Sequence, residues 1–249
     1  MSGRQELLRL YRDVMTSEYQ YHASKHGLDV LIQSGFRPYA DRMTQFEHSR
    51  DLEHELYAKS KGELEAKVFL LAHSYDHVME KEPTDMKRDW NAWLGKAECN
   101  LGSTVSTKTY RPTEIFEKSI LHLKDAQEFG STSHLDTLLL AQNHYVLGEY
   151  EWAVAYYEQT EDALTNPHRA KMIGSCYLYL SQPEESIEPL KRGIRQSEDP
   201  EQKGFLYFLL GKAFYELKEP VAAEGYLTRA IDNGYPEKRC NFYLRMMDY

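Results

Sequence analysis

Cysteine is scarce in this chain, and so are the residues that break helices. Cys99, Cys176 and Cys240 are the three cysteines, with no Cys-x-x-Cys pair and no histidine at zinc-finger spacing. An odd, scattered set excludes a disulfide framework and a zinc ribbon, and predicts reduced thiols in the cytosol or nucleus. Nine prolines and fourteen glycines leave long stretches uninterrupted, which favours helices. The longest apolar runs, at 68–72 and 205–210, fall far short of the roughly 18 residues that cross a bilayer. Met1-Ser2-Gly3-Arg4-Gln5-Glu6 puts charge where a signal peptide begins its apolar core, and neither end carries a lipidation motif. A soluble chain without membrane insertion is expected. Positive charge is also short: 30 Lys plus Arg against 39 Asp plus Glu gives a net charge of −9. That balance opposes an RNA-binding protein, and no nucleic-acid partner is expected. Gly-x-Gly-x-x-Gly, Walker and Gly-x-Ser-x-Gly motifs are missing, so neither an enzyme nor a cofactor is expected.

What the chain does have is a globular balance, 41% hydrophobic and 28% charged, with nineteen tyrosines. It also has a period. Taking Gly211 as an anchor, Leu210 precedes it, and Phe214, Ala223, Leu227 and Ala230 follow at +3, +12, +16 and +19, before Pro236. Around Gly174 the same offsets give Ile173, Tyr177, Ser186, Leu190 and Gly193, then Pro200. Around Ala141 they give Leu140, His144, Ala153, Tyr157 and Thr160, then Pro167. Small residues facing large ones at fixed offsets are what two antiparallel helices need at their crossing point. Turns are expected at Gly148-Glu149-Tyr150, at Ser181 to Glu184 and at Lys218-Glu219-Pro220, with Ser181 and Glu184 forming a capping box.

The pattern resembles the tetratricopeptide repeat, whose signature is a Leu-Gly pair, an aromatic three later, then small and large residues at the offsets above, closed by Pro. The resemblance implies an all-α, right-handed α-solenoid of helical hairpins. It is clearest over 134–237. Upstream, Leu94-Gly95 is a further anchor with Ser119, Leu123 and Ala126 displaced by twelve residues, so a polar insert near 102–112 is expected to split degenerate hairpins spanning 47–133. Tyr57, Gly62, Ala66 and Leu70 would belong to one of them. Residues 1–46, with Leu7, Leu8, Tyr11, Val14 and Met15 on one face, read as capping helices. Residues 238–249 read as a C-terminal cap, with the opening of a further repeat as the alternative.

In such repeats the first helix of each hairpin lines a concave groove, which implies a protein or peptide partner. The groove positions are Leu138, Gln142 and Tyr145, then Lys171, Ser175 and Leu178, then Phe208, Lys212 and Tyr215, with Leu139, Met172 and Leu209 beside them. Apolar and aromatic residues with two lysines suit a peptide bearing hydrophobic anchors and an acidic group. The Lys and Asn pair by which one subclass grips chaperone tails is not at the matching positions. A non-catalytic adaptor is therefore the leading reading, and an obligate subunit or homo-oligomer of a larger complex is the alternative. His22 with His26 and His73 with His77 share helical faces at i, i+4, but no third ligand completes a metal site, and none is expected.

Overall fold

A computed structural model describes residues 75–105, 112–160 and 165–247, together with Gly62 and Ala72. The sequence features assigned to residues 1–46, to Tyr57, Ala66 and Leu70, and to the side chains of His22, His26, His73 and His77 lie outside the described residues. Every regular element among the described residues is an α-helix: α1 (Tyr75–Lys81), α2 (Thr84–Val105), α3 (Thr113–Glu128), α4 (His134–Leu147), α5 (Tyr150–Glu158), α6 (Pro167–Tyr179), α7 (Pro183–Gln196), α8 (Pro200–Glu216), α9 (Pro220–Asp232) and α10 (Glu237–Met247). They divide into two units, 1–132 and 133–249.

Unit 2 holds three hairpins, α4–α5, α6–α7 and α8–α9, and α10 packs on the third. Each hairpin crosses where the spacing places a small residue under a large one. A Cβ added to Gly174 would lie 2.5 Å from Leu190 Cδ2, and one added to Gly211 would lie 2.7 Å from Leu227 Cδ2. Both leucines are fully buried, as are Ala141 and Tyr157 in the first hairpin. Gly193 of α7 serves two junctions: a Cβ on it would lie 2.9 Å from Ala170 of α6 within the hairpin and 3.2 Å from Leu206 of α8 in the next one. Backbones this close leave no room for a methyl group, so the glycines set the interhelical distance.

The turns share one geometry. Seven residues after each anchor the backbone turns left-handed, at Gly148 (φ 81°), Ser181 (φ 57°) and Lys218 (φ 60°). The N–H groups of Gly148 and Glu149 donate to the carbonyls of Tyr145 and His144, those of Ser181 and Gln182 to Leu178 and Tyr177, and those of Lys218 and Glu219 to Tyr215 and Phe214. This is the Schellman pattern that satisfies the last carbonyls of a helix. The expected capping box at Ser181 does not form. Ser181 terminates α6, the cap of α7 is Gln182 with no side-chain cap bond, and Ser186 Oγ donates to the Pro183 carbonyl instead. The prolines in the links stand at the first turn of the following helix: Pro167 after the Asn166 cap, which accepts from His168 N at 2.9 Å, and Pro200 after the Asp199 cap, which accepts from Glu201 N at 3.0 Å. Proline suits that position because its missing N–H would have no helical partner there.

In unit 1, α2 and α3 form a longer hairpin. A Cβ on Gly95 would lie 2.7 Å from Leu123 Cγ, and Ser119 Oγ donates to the Gly95 carbonyl at 2.6 Å. The insert read from the sequence as a loop from 102 onwards begins inside a helix. α2 continues through Val105, and Gly102 is buried under the Phe116 ring, 2.9 Å from where its Cβ would be. The helical period simply runs on, because a second small residue lets α2 keep its contact with α3. α1 is tied to this hairpin by Tyr75, whose hydroxyl donates to Asp125 Oδ2 at 3.2 Å.

Candidate functional site

The groove positions of unit 2 fall into two groups. Ser175 and Leu178 are buried, at 8% and 5% exposure, as are Leu139 and Leu209, and Leu178 and Leu209 share one core cluster between successive first helices. Leu138 and Tyr145 are half-buried against the cluster of Ala141 and Tyr157, and Gln142 is half-buried beside them. The remaining positions join side chains that spacing did not single out. Tyr145 meets Tyr150 edge-on at 5.7 Å between ring centroids and Tyr179 at 6.2 Å, while Tyr150 and Tyr179 stack at 4.6 Å. Lys212 sets its ammonium 5.6 Å from the Tyr179 centroid and pairs with Glu216 at 3.5 Å. Tyr215 meets Tyr243 of α10 edge-on at 5.2 Å, and Phe208 stacks on Tyr235 at 4.5 Å. Lys171 places its ammonium 5.5 Å over Phe205.

The result is an aromatic strip along unit 2, from Tyr145 and Tyr150 through Tyr179 and Lys212 to Tyr215 and Tyr243. Tyr179 is its most open member, at 55% exposure. Burial pushes the Tyr145 hydroxyl well above its ordinary value, with the Tyr179 hydroxyl and the Cys176 thiol adding to the effect. Burial likewise raises Tyr243, with Glu216 next in importance, and lowers Lys171. The strip thus presents neutral hydroxyls and ring faces around Lys212. Tyr150 and Tyr179 escaped the spacing argument because they lie outside the groove offsets of −3, −2, +1 and +4 from each anchor. Tyr179 stands at +5, one helical turn beyond the +1 residue Ser175, and that i, i+4 relation was the signal that could have found it.

The offsets, the crossing contacts and the left-handed turns recur together in all three hairpins. Unit 2 is a stack of tetratricopeptide-like repeats. No family model matches the chain, and no curated protein matches it. Among solved structures, a tetratricopeptide repeat protein from Parabacteroides merdae ATCC 43184 is similar over 97% of this chain and 100% of that chain, at 12% identity and a TM-score of 0.46.

Two histidine–carboxylate pairs link consecutive helices. In the first tetratricopeptide-like hairpin, His144 Nδ1 lies 2.5 Å from Glu149 Oε2, and its ring stacks on Tyr156 at 5.3 Å. The pair bridges the left-handed turn at Gly148 and fixes the entry to α5. In unit 1, His122 Nδ1 lies 2.7 Å from Glu98 Oε2, beside the Tyr75 ring. Among the described residues no three His, Cys, Asp or Glu side chains are grouped to hold a metal ion, and no helix is long and apolar enough to cross a membrane.

Proposed function

We propose that this protein is a non-catalytic interaction module, which holds a peptide segment or an assembly subunit along the aromatic strip of unit 2. The observation that carries the reading is the open Tyr179 ring between Tyr150 and Lys212. Tyrosine rings bury much area for little lost rotamer freedom, and they concentrate binding energy at interfaces. Stacked hairpins hold them in place before the partner arrives, which lowers the ordering cost of association. Lys212, already balanced by Glu216, is positioned to receive a carboxylate from the partner. A reducing compartment, cytosol or nucleus, fits three buried cysteines that are all free thiols.

The test is quantitative affinity purification with wild type and a Tyr179→Ala, Lys212→Glu variant whose thermal melt matches it. A partner recovered at stoichiometric amounts by wild type should be lost from the variant. A folded variant that retains every wild-type partner sinks the reading.

A further inference from the structure

The 34-residue step from α8 to α10 sorts the faces of α10. Cys240, Leu244 and Met247 stand 34 positions after Leu206, Leu210 and Ala213, the residues that bury α8 against the preceding repeat. In α10 they join the cluster around Leu227, Ala230 and Tyr235 in the same way. Tyr243 repeats Leu209: each packs beside the +4 residue of the preceding first helix, Tyr215 and Leu178 respectively. The face of α8 that receives its own second helix carries Gly204, Tyr207 and Gly211. At the equivalent positions α10 carries Lys238, Asn241 and Arg245, whose polar side chains suit water rather than another helix. The remaining face holds Phe242 and Met246, equivalent to Phe208 and Lys212, and they are 60% and 52% exposed.

Two large apolar side chains at i, i+4 therefore project from a helix whose other faces are accounted for. Their neighbours are basic. Lys238, Arg239 and Arg245 lie three or four residues from Phe242, within one helical turn, and all three are exposed. Arg239 is steadied by donating to the Tyr235 hydroxyl at 3.0 Å. Glu237 is the carboxylate of α10, and it accepts from Asn241 at 3.0 Å. In a chain of net charge −9 this helix gathers cations around an aromatic ring.

We propose that α10 is a docking face for an acidic segment of another protein, one that lays a large apolar side chain over Phe242 and Met246 and carboxylates against Lys238, Arg239 and Arg245. This goes beyond the aromatic strip and does not depend on Tyr179 binding anything. Charge complementarity selects the occupant. A second copy seated by two-fold symmetry would bring the three cations of each α10 against those of the other. A bilayer would find only two protruding apolar side chains, because Cys240, Leu244 and Met247 face inward, whereas an interfacial helix commits a whole face.

The probe is a fluorescein-labelled synthetic helix of Leu and Glu, with Leu at i, i+3, i+4 and i+7, compared with the same helix carrying Lys in place of Glu. Anisotropy should rise with the acidic probe alone, and added salt should weaken binding. Phe242→Ala with Met246→Ala should weaken it by about tenfold or more, a loss of about 1.4 kcal/mol. Arg245→Glu, a change of one exposed polar side chain that keeps the fold readable if the alanine pair does not, should weaken it and flatten the salt dependence. The Tyr179→Ala, Lys212→Glu variant should bind as wild type, so failure of the strip and failure of this face are read separately. The proposal is overturned if the acidic probe does not bind, if the Lys probe binds equally, or if Arg245→Glu binds unchanged. It is also overturned if Phe242→Ala abolishes a concentration-dependent dimer in sedimentation, or abolishes partition onto phosphatidylserine vesicles or binding of oligouridylate.

Discussion

The α2–α3 hairpin of unit 1 and the hairpins of unit 2 differ in length but meet at the same chemical junction. α6 and α8 run five residues beyond their anchors, and α7 and α9 begin seven before their large partner. α2 runs ten beyond Gly95, and α3 begins ten before Leu123. Most of the twelve extra residues therefore lengthen two helices, and the Gly95–Leu123 crossing stays where the shorter hairpins have it. The extension carries a second small-on-large contact, Gly102 under Phe116. Hairpin length is thus a free variable in this architecture, while the crossing is fixed by the one place where two backbones touch.

The sharpest way to break that comparison is to remove the extra contact. Phe116→Ala should cost about 3–5 kcal/mol in urea unfolding, because a fully buried ring leaves a cavity under Gly102. A loss below about 1 kcal/mol would mean the lengthened part of α2 is not held by packing. Next in size, Gly174→Val should cost about 1–3 kcal/mol through overpacking against Leu190. Leu190→Ala added to it should recover part of that loss, whereas the two changes would simply add if they did not share a contact. Ser181→Gly and Lys218→Gly should each raise stability by roughly 1 kcal/mol, since both non-glycine residues hold left-handed backbone. Gly148→Ala, at the equivalent place, should lower it, and equal effects at the three turns would contradict their shared geometry.

The smallest effect separates the units by pH. Burial pushes the Cys176 thiol up to about 12 and raises Tyr145, Tyr156, Tyr177, Tyr243 and Cys240 of unit 2, against Tyr75 among the described residues of unit 1. A raised folded pKa means the unfolded chain releases its proton first. The stability linked to these groups is therefore complete below the unfolded values, about 8.5 for Cys and about 10 for Tyr, and falls as pH rises through the folded ones. Above pH ~10 the α4–α9 hairpins should lose stability faster than the α1–α3 segment, and Tyr145→Phe should shallow that slope in pH-dependent melts. A slope unchanged in Tyr145→Phe would remove Tyr145 from the account.

The crossings were legible in the sequence because a small residue beneath a large one leaves a mark at fixed spacing, and Gly174, Gly211 and Gly95 all carry it. The turns were legible in place but not in chemistry. Ser181 followed by Glu184 reads as a helix start, and only the backbone reveals that Ser181 ends the previous helix. The insert was placed a few residues too early because Ser103 and Thr104 resemble a loop, while the burial of Gly102 depends on a Phe116 that lies beyond it in sequence. At the candidate site, spacing found Tyr145, Lys212 and Tyr215 but not Tyr150 or Tyr179. Ring contacts between neighbouring repeats depend on how the hairpins stack, and the pattern within one repeat carries no record of that. α10 was read first as a cap and only second as the opening of a repeat, because Arg245 stands where the anchoring glycine would be.

The three cysteines, first useful for what they exclude, divide the molecule conveniently. Cys99 sits in α2, Cys176 in α6 and Cys240 in α10, each buried at 4% exposure or less. A thiol reagent can reach each one only when its own helix opens. Labelling rates followed residue by residue would therefore report three local opening free energies from one unmodified chain, and would rank its segments by how readily each lets go.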